Sequence, residues 1–206
     1  MKIINAIPGA VAAIGILGSG LAQATLDPTG GGSYIFEGDR VVLTKDTIFG
    51  PVSVDCKLAL KGNVVDNGST ISITVTDGDS DVGAANDTNC DLVGFTFSWP
   101  SDPITDSAPP LGTSQTDSTW VPGTFDNVQV STPLGNCSGD NVPVEFRNTP
   151  TGGTDLPSEF RFNGTTIGST CTVDGLISVV PSSDLNDNGV IDTGETSDAI
   201  DIDAYH

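Results

Sequence analysis

Residues 184–195 read DLNDNGVIDTGE, and their types and spacing are the best suited to chemistry in this chain. The spacing matches the twelve-residue EF-hand calcium loop, in which oxygen ligands recur at fixed positions and a glycine permits the sharp turn at position six. The glycine is Gly189. The predicted metal ligands are the side chains of Asp184, Asn186, Asn188 and Asp192, the carbonyl of Val190 and the closing bidentate carboxylate of Glu195. The sequence therefore predicts a Ca²⁺ site.

The residues before this loop exclude the entering helix of a paired calcium sensor. Residues 177–180 are mostly β-branched and Pro181 follows them, a combination that disfavours a helix. We therefore expect a lone, structural site of the extracellular kind, with a dissociation constant on the order of 10⁻⁴ to 10⁻³ M. The alternative is an acidic turn, rich in Asn and Gly, that binds no metal.

Four cysteines, Cys56, Cys90, Cys137 and Cys171, form two pairs with identical spacing. An even number of cysteines in an exported chain predicts disulfides, and four cysteines allow three connectivities. The favoured pairing is Cys56 with Cys90 and Cys137 with Cys171. Each bridge is expected to stabilise the fold by roughly 3 to 4 kcal/mol, mainly by restricting the unfolded chain.

Residues 1–24 have the three zones of a secretory signal peptide. Lys2 precedes an apolar stretch, and the segment ends on the small-x-small sequence formed by residues 22–24. Proline and glycine interrupt the apolar stretch too often for a membrane span of about 20 residues. We therefore expect a secreted protein, located in the extracellular space or on the cell surface, with no membrane insertion.

The charge and histidine content disfavour several classes of function. A formal net charge of −20 repels nucleic acid, so no nucleic-acid partner is expected. The single histidine is the last residue, His206, so neither a Ser-His-Asp nor a Cys-His arrangement can be assembled plausibly. A carboxylate pair acting on a polysaccharide stays possible by composition. We nevertheless expect a protein that is not an enzyme.

Short β-rich segments separated by Gly, Asn and Pro predict an all-β fold, either an antiparallel β-sandwich or a barrel with two disulfides. Residues 25–43 are predicted to be an extended, flexible N-terminal arm, and residues 44–182 the β domain. Residues 183–206 are predicted to be an acidic tail that contains the calcium loop. The arm is a candidate donor strand for a neighbouring molecule, with assembly residues Tyr34, Ile35, Phe36, Val41 and Leu43. The alternative is an arm that pairs within its own domain.

Several segments resemble the PraB-like family of secreted bacterial proteins. They are LTK at 43–45, VDCKLALKG at 54–62, VQVSTPLGNCSG at 128–139, FRFNG at 160–164 and TCTVDGL at 170–176. The resemblance covers about residues 40–180 and does not include the calcium loop. It implies a protein associated with biofilm matrix and surface hydrophobicity, from a family described as activators of alkane oxidation. It supplies no catalytic residues.

These expectations lead to two hypotheses of function. The first is an extracellular structural protein, the subunit of a biofilm-matrix or cell-surface fibre that assembles by β-strand addition with copies of itself or with other matrix components. The second is a calcium-dependent adhesin that recognises a carbohydrate or a hydrophobic surface. Its candidate contact aromatics are Phe97, Trp99 and Trp120, although such aromatics more often belong to the core.

Overall fold

The computed structural model describes residues 25–27, 31–66, 70–80, 89–105, 120–147, 157–183, 185, 194–198 and 203–205. These residues form β-strands and one 3₁₀ turn, Cys90–Leu92. The strands are β1 (Thr25–Asp27), β2 (Gly32–Thr47), β3 (Gly50–Asp66), β4 (Thr70–Asp79), β5 (Gly94–Thr96), β6 (Trp99–Pro100), β7 (Ile104–Thr105), β8 (Val121–Phe125), β9 (Val128–Thr132), β10 (Gly135–Gly139), β11 (Val142–Arg147), β12 (Glu159–Ile167), β13 (Cys171–Val180) and β14 (Asp203–Tyr205). The predicted all-β fold is confirmed.

Nine strands form one antiparallel sheet in the order β6-β4-β3-β2-β13-β12-β11-β8, with β7 also paired to β4. The two ends of this sheet nearly meet. Ser101 forms a bridge with Phe125. The Asp102 N–H donates to the Thr124 carbonyl at 3.1 Å, and the Asp126 N–H donates to the Pro100 carbonyl at 2.8 Å. The sheet therefore curls into a nearly closed barrel, which removes most of its exposed edge.

A three-stranded sheet in the order β10-β9-β5 packs against this barrel, and both contribute to one apolar core. Four phenylalanines occupy its centre: Phe160 lies 4.8 Å from Phe36, 5.1 Å from Phe146 and 5.9 Å from Phe125, measured between ring centroids. A separate ribbon pairs β1 with β14. None of the described residues forms a helix that is long and apolar enough to cross a membrane.

One disulfide joins the small sheet to the large one, and the other joins the turn before the small sheet to the large one. Cys56 on β3 is bonded to Cys90, whose 3₁₀ turn leads into β5, with Cα atoms 5.6 Å apart. Cys137 on β10 is bonded to Cys171 on β13, with Cα atoms 5.9 Å apart. The favoured connectivity is confirmed, and neither bridge is confined to a single sheet.

A shared bulge bends the two central strands together. The registers of β2 and β13 both shift in this region, after Gly38 and Gly175 respectively. A Cβ atom on Gly38 would lie 2.5 Å from the Leu176 carbonyl oxygen, closer than real Cβ contacts allow. Glycine at position 38 therefore lets the two backbones approach where the barrel curves.

The prediction of a flexible arm is wrong from residue 32 onward. Those residues belong to β2, which lies inside the large sheet between β3 and β13. The proposed assembly residues are buried, with exposed fractions of 0% for Tyr34 and Ile35, 1% for Phe36, 5% for Val41 and 8% for Leu43. The domain boundary predicted at residue 44 also falls within this strand. Short apolar runs do not distinguish a central strand from a free one, because each is rich in β-branched and aromatic residues.

Other parts of the predicted organisation are only partly visible. The predicted signal peptide, residues 1–24, lies outside the described residues. Of the predicted arm before β2, the described part is β1 and Gly31.

Replacing Phe36 with alanine tests whether β2 is a core strand. Because the Phe36 ring is buried against Phe160, Phe36→Ala is expected to lower the free energy of unfolding by about 3 to 5 kcal/mol. The matched control is Ile48→Ala at the tip of the same hairpin, where the side chain is 94% exposed and the expected loss is below about 0.5 kcal/mol. Chemical denaturation measures both. Equal, small losses would show that residue 36 lies on a free arm.

Candidate functional site

The ends of the predicted calcium loop are held together at its base. Ser182 and Thr196 form an antiparallel bridge. The Ser183 N–H donates to the Glu195 carbonyl at 3.2 Å, and the Ser197 N–H donates to the Pro181 carbonyl at 2.9 Å. Residues 184–195 therefore leave and rejoin the protein at one point, as a closed ligand loop requires.

Glu195, the predicted bidentate ligand, is the one predicted metal ligand that the structure describes. It is 7% exposed, and its Oε1 atom accepts a hydrogen bond from the Leu185 N–H at 3.1 Å. A carboxylate so deeply buried needs charge-stabilising partners. The other predicted ligands, Asp184, Asn186, Asn188, Val190 and Asp192, lie outside the described residues.

The donor chemistry of the loop fits Ca²⁺. All six predicted ligands offer oxygen atoms, which hard divalent cations prefer, and the carboxylate that closes the loop is already oriented by the backbone at its start. Among the described residues, no group of three His, Cys, Asp or Glu side chains is placed to hold a metal ion. Within that part of the chain, the site therefore consists of Glu195 and the base of the loop.

Leu185, at the second position of the loop, anchors it to the outside of the barrel. The Leu185 side chain is 8% exposed and packs with Ile35 of β2 and Ala59 of β3, beside the partly buried Val180. This contact explains why Ile35 is fully buried, although neighbouring residues of β2 point into the opposite, interior face. Leu185 is therefore packed on the outer face of the barrel.

Two residues after the loop complete the hydrogen bonding of β2. The last residue pair between β13 and β2 is Val180 with Ile35. At this end of β2, backbone N–H groups donate to side chains of the tail instead. The Ile35 N–H donates to Ser197 Oγ at 2.8 Å, and the Ser33 N–H donates to Asp198 Oδ2 at 2.7 Å. Buried backbone donors need such partners. The base of the predicted calcium loop is thus coupled to the central strand.

Sequence reasoning did not identify these tail contacts. It assigns no role to Leu185, Ser197 or Asp198. No local pattern in the sequence indicates that residue 198 meets residue 33, because the contact depends on where β13 ends in the folded sheet.

Several basic side chains in the described region form ion pairs with acidic ones. Because the chain has far more acidic than basic residues, most of its carboxylates have no basic residue to neutralise them. The ion pairs are Arg40 with Asp55, Lys57 with Glu37, Arg147 with Glu159 and Arg161 with Glu145. The hydrogen bond from Arg40 to Asp55, helped by the opposite charge, raises the pKa of that guanidinium above its ordinary value. Lys61 lies beside Gly194, near the end of the predicted calcium loop, because a Cβ atom on Gly194 would be 3.1 Å from Lys61 Nζ.

The aromatic residues considered for ligand contact lie in different environments. Trp99 is 4% exposed and donates its indole N–H to the Thr96 carbonyl at 2.7 Å, so it belongs to the core. Phe97 packs 4.9 Å from Trp99 between ring centroids. Trp120 is half-buried, and Arg147 and Arg161 lie over its ring at 4.7 and 4.3 Å. Trp120 alone of the three lies among charged surface groups.

Comparison with known proteins identifies the family. A family model described as "Alkane oxidation protein activator PraA/PraB-like" matches residues 1–186. The chain belongs to this family, and the resemblance noted for about residues 40–180 is confirmed. No curated protein and no solved structure matches the chain. The match ends within the predicted calcium loop, so most of the loop and the rest of the tail lie beyond it.

Proposed function

We propose that this protein is an exported structural component of an extracellular matrix or surface fibre, and that it assembles with copies of itself. The observation that supports this most strongly is the presence of two disulfides, Cys56–Cys90 and Cys137–Cys171. Structural disulfides are typical of proteins that fold and act in oxidising compartments outside the cytosol. The family description, an activator of alkane oxidation, suits an accessory protein of this kind.

The route of assembly differs from donation of the whole predicted arm. Residues 32–43 already belong to β2, a central strand of the large sheet. A molecule that donated them to a neighbour would lose its own fold. In the described part of the chain the β1-β14 ribbon has three residue pairs, Thr25 with Tyr205, Leu26 with Ala204 and Asp27 with Asp203. An isolated two-stranded ribbon is marginally stable. We infer that β1 exchanges its pairing with β14 for pairing with a neighbouring molecule.

Substitution of Leu26 tests this route. Proline has no backbone N–H and a fixed φ, so Leu26→Pro is expected to weaken strand pairing by β1 and abolish fibres while the barrel stays folded. Leu26→Val is the matched control and should form fibres. Electron microscopy detects fibres in the mature proteins, and circular dichroism with thermal unfolding checks the fold. Fibres of normal length and number from a folded Leu26→Pro variant would contradict assembly through β1.

We also propose that Ca²⁺ binds residues 184–195 and stabilises the seat of the tail on the barrel. Support comes from the closed base of the loop, the buried Glu195 carboxylate and the coupling of Ser197 and Asp198 to β2. When bound, Ca²⁺ would hold the loop carboxylates together and offset their mutual repulsion. Leu185 would keep the loop against Ile35.

Calcium is therefore expected to stabilise the folded protein. For a dissociation constant on the order of 10⁻⁴ to 10⁻³ M, 10 mM Ca²⁺ should add about 1.4 to 2.7 kcal/mol to the free energy of unfolding. Glu195→Gln should remove this gain, whereas Asp39→Asn, which removes one exposed carboxylate from β2, should retain it. Denaturation with Ca²⁺ and with chelator measures the difference. An equal calcium effect in both variants would show binding elsewhere.

A calcium-dependent adhesin is the second candidate function. The half-buried Trp120 beside Arg147 and Arg161 favours it, because an aromatic ring among charged groups suits a polar ligand such as a polysaccharide. Saturable, chelator-sensitive polysaccharide binding that Trp120→Ala abolishes is the result expected for an adhesin. Binding that is absent, or unchanged by this substitution, would favour the matrix subunit.

A further inference from the structure

The start of the predicted calcium loop lies on the immediate neighbours of Lys61. Ala59 and Lys61 share the outer face of β3, because alternate residues of a strand point the same way. Leu185, the second residue of the loop, packs on Ala59 and on Ile35 of β2. In the register of the sheet, Ile35 is the residue paired with Lys61. The lysine therefore stands next to the surface on which the loop begins.

The end of the loop meets the ammonium group itself. A Cβ atom on Gly194 would lie 3.1 Å from Lys61 Nζ, and Gly194 directly precedes Glu195, the predicted bidentate ligand. Gly194 has φ +96°, a conformation that favours glycine. Glycine at this position thus serves both the backbone turn and the close approach of the lysine. Lys61 is therefore placed at both the start and the end of residues 184–195.

The charge of Lys61 is not used within the sheet. In the part of the chain that the structure describes, the basic residues that form ion pairs are Arg40, Lys57, Arg147 and Arg161. Lys61 is not among them, although Asp77 of β4 is its cross-strand neighbour. Residues 184–195 contain four acidic residues and no basic one. Because opposite charges attract, the Lys61 ammonium offsets part of the repulsion among these carboxylates.

We propose that Lys61 acts as a fixed cation that competes with Ca²⁺ and sets the calcium affinity of the loop. This inference rests on the proposed binding of Ca²⁺ to residues 184–195. In the calcium-free protein, the Lys61 ammonium stabilises the loop carboxylates. When Ca²⁺ binds, the same ammonium lies close to a divalent cation, and their repulsion weakens the calcium-bound state. The consequence is a loop that fills at millimolar rather than micromolar Ca²⁺.

Calcium titration of the mature protein by isothermal calorimetry tests the role of this charge. Lys61→Met removes the charge but keeps most of the aliphatic side chain, so the variant should fold normally, as circular dichroism can check. It should bind Ca²⁺ about 3- to 10-fold more tightly than the unmodified protein. Lys61→Gln, a second neutral variant, should show the same gain. Lys61→Arg keeps the charge and should bind Ca²⁺ with the affinity of the unmodified protein.

The matched control is Lys57→Met, which removes the same charge from the same face of β3. Residue 57 lies about 13 Å farther along the strand, beyond the distance over which physiological salt leaves charges unscreened. Its calcium affinity should therefore equal that of the unmodified protein. Salt provides a second readout: the gain in Lys61→Met should shrink as potassium chloride rises from about 0.05 M to about 0.5 M. An effect of packing alone would not depend on salt in this way.

The possible outcomes separate the role of Lys61 from the calcium site itself. Equal calcium affinity in the unmodified protein and in Lys61→Met would overturn the role of Lys61 and leave the calcium site standing. An equal gain in Lys57→Met would also overturn it, because net charge alone would then explain the result. Absence of calcium binding in the unmodified protein and in every variant would overturn both the role of Lys61 and the proposed calcium site.

Discussion

The pairing of β2 on both of its edges is the constraint on which the rest of the structure depends. One edge is bonded to β3 from Gly32 to Thr47, and the other to β13 from Ile35 to Lys45. Where β13 ends, Ser197 and Asp198 continue the second edge. Because β2 contributes Phe36 to the centre of the core and Ile35 to the seat of the tail, the barrel and the tail share one strand. Residues 32–43, which the sequence predicts as part of a donor strand, are therefore already paired on both edges and are not free to pair with a neighbouring molecule.

The protein closes one apolar core with the help of disulfides, yet the turn between β2 and β3 leaves two apolar side chains on the surface. One disulfide joins the small sheet to the barrel, the other joins the turn before β5 to the barrel, and the two sheets bury one core between them. With the core closed in this way, large apolar side chains on the outside are not needed for folding. Ile48 and Phe49 nevertheless project from a turn whose geometry is fixed by Thr47 and Gly50.

The sequence predicts the fold class and the disulfide pairing because both depend on local composition and on the spacing of cysteines. It does not predict the position of β2. The apolar residues 34–36 would look the same in a free arm and in a central strand. Their place in the sheet is determined by pairing with β3 and with β13, which lies far along the chain. The calcium loop can be predicted from the sequence because its six predicted ligands fall within twelve residues, 184–195. The docking of Leu185 on Ile35 and Ala59 cannot, because it depends on three segments that are distant in the sequence. The exposure of Ile48 and Phe49 likewise depends on the length of the β2-β3 hairpin. The predicted boundary between the arm and the β domain, after residue 43, falls inside the first strand of that hairpin.

Hydrogen exchange of the mature protein, compared between its monomeric and assembled forms, tests the account most directly, because backbone amides report the pairing of each strand. The account predicts that amides of β2 exchange slowest and keep the same protection in both forms, with changes on assembly confined to β1 and β14. Rapid exchange of β2 in the monomer, followed by protection on assembly, would contradict the account. It would show that residues 32–43 are free until a neighbouring molecule binds them.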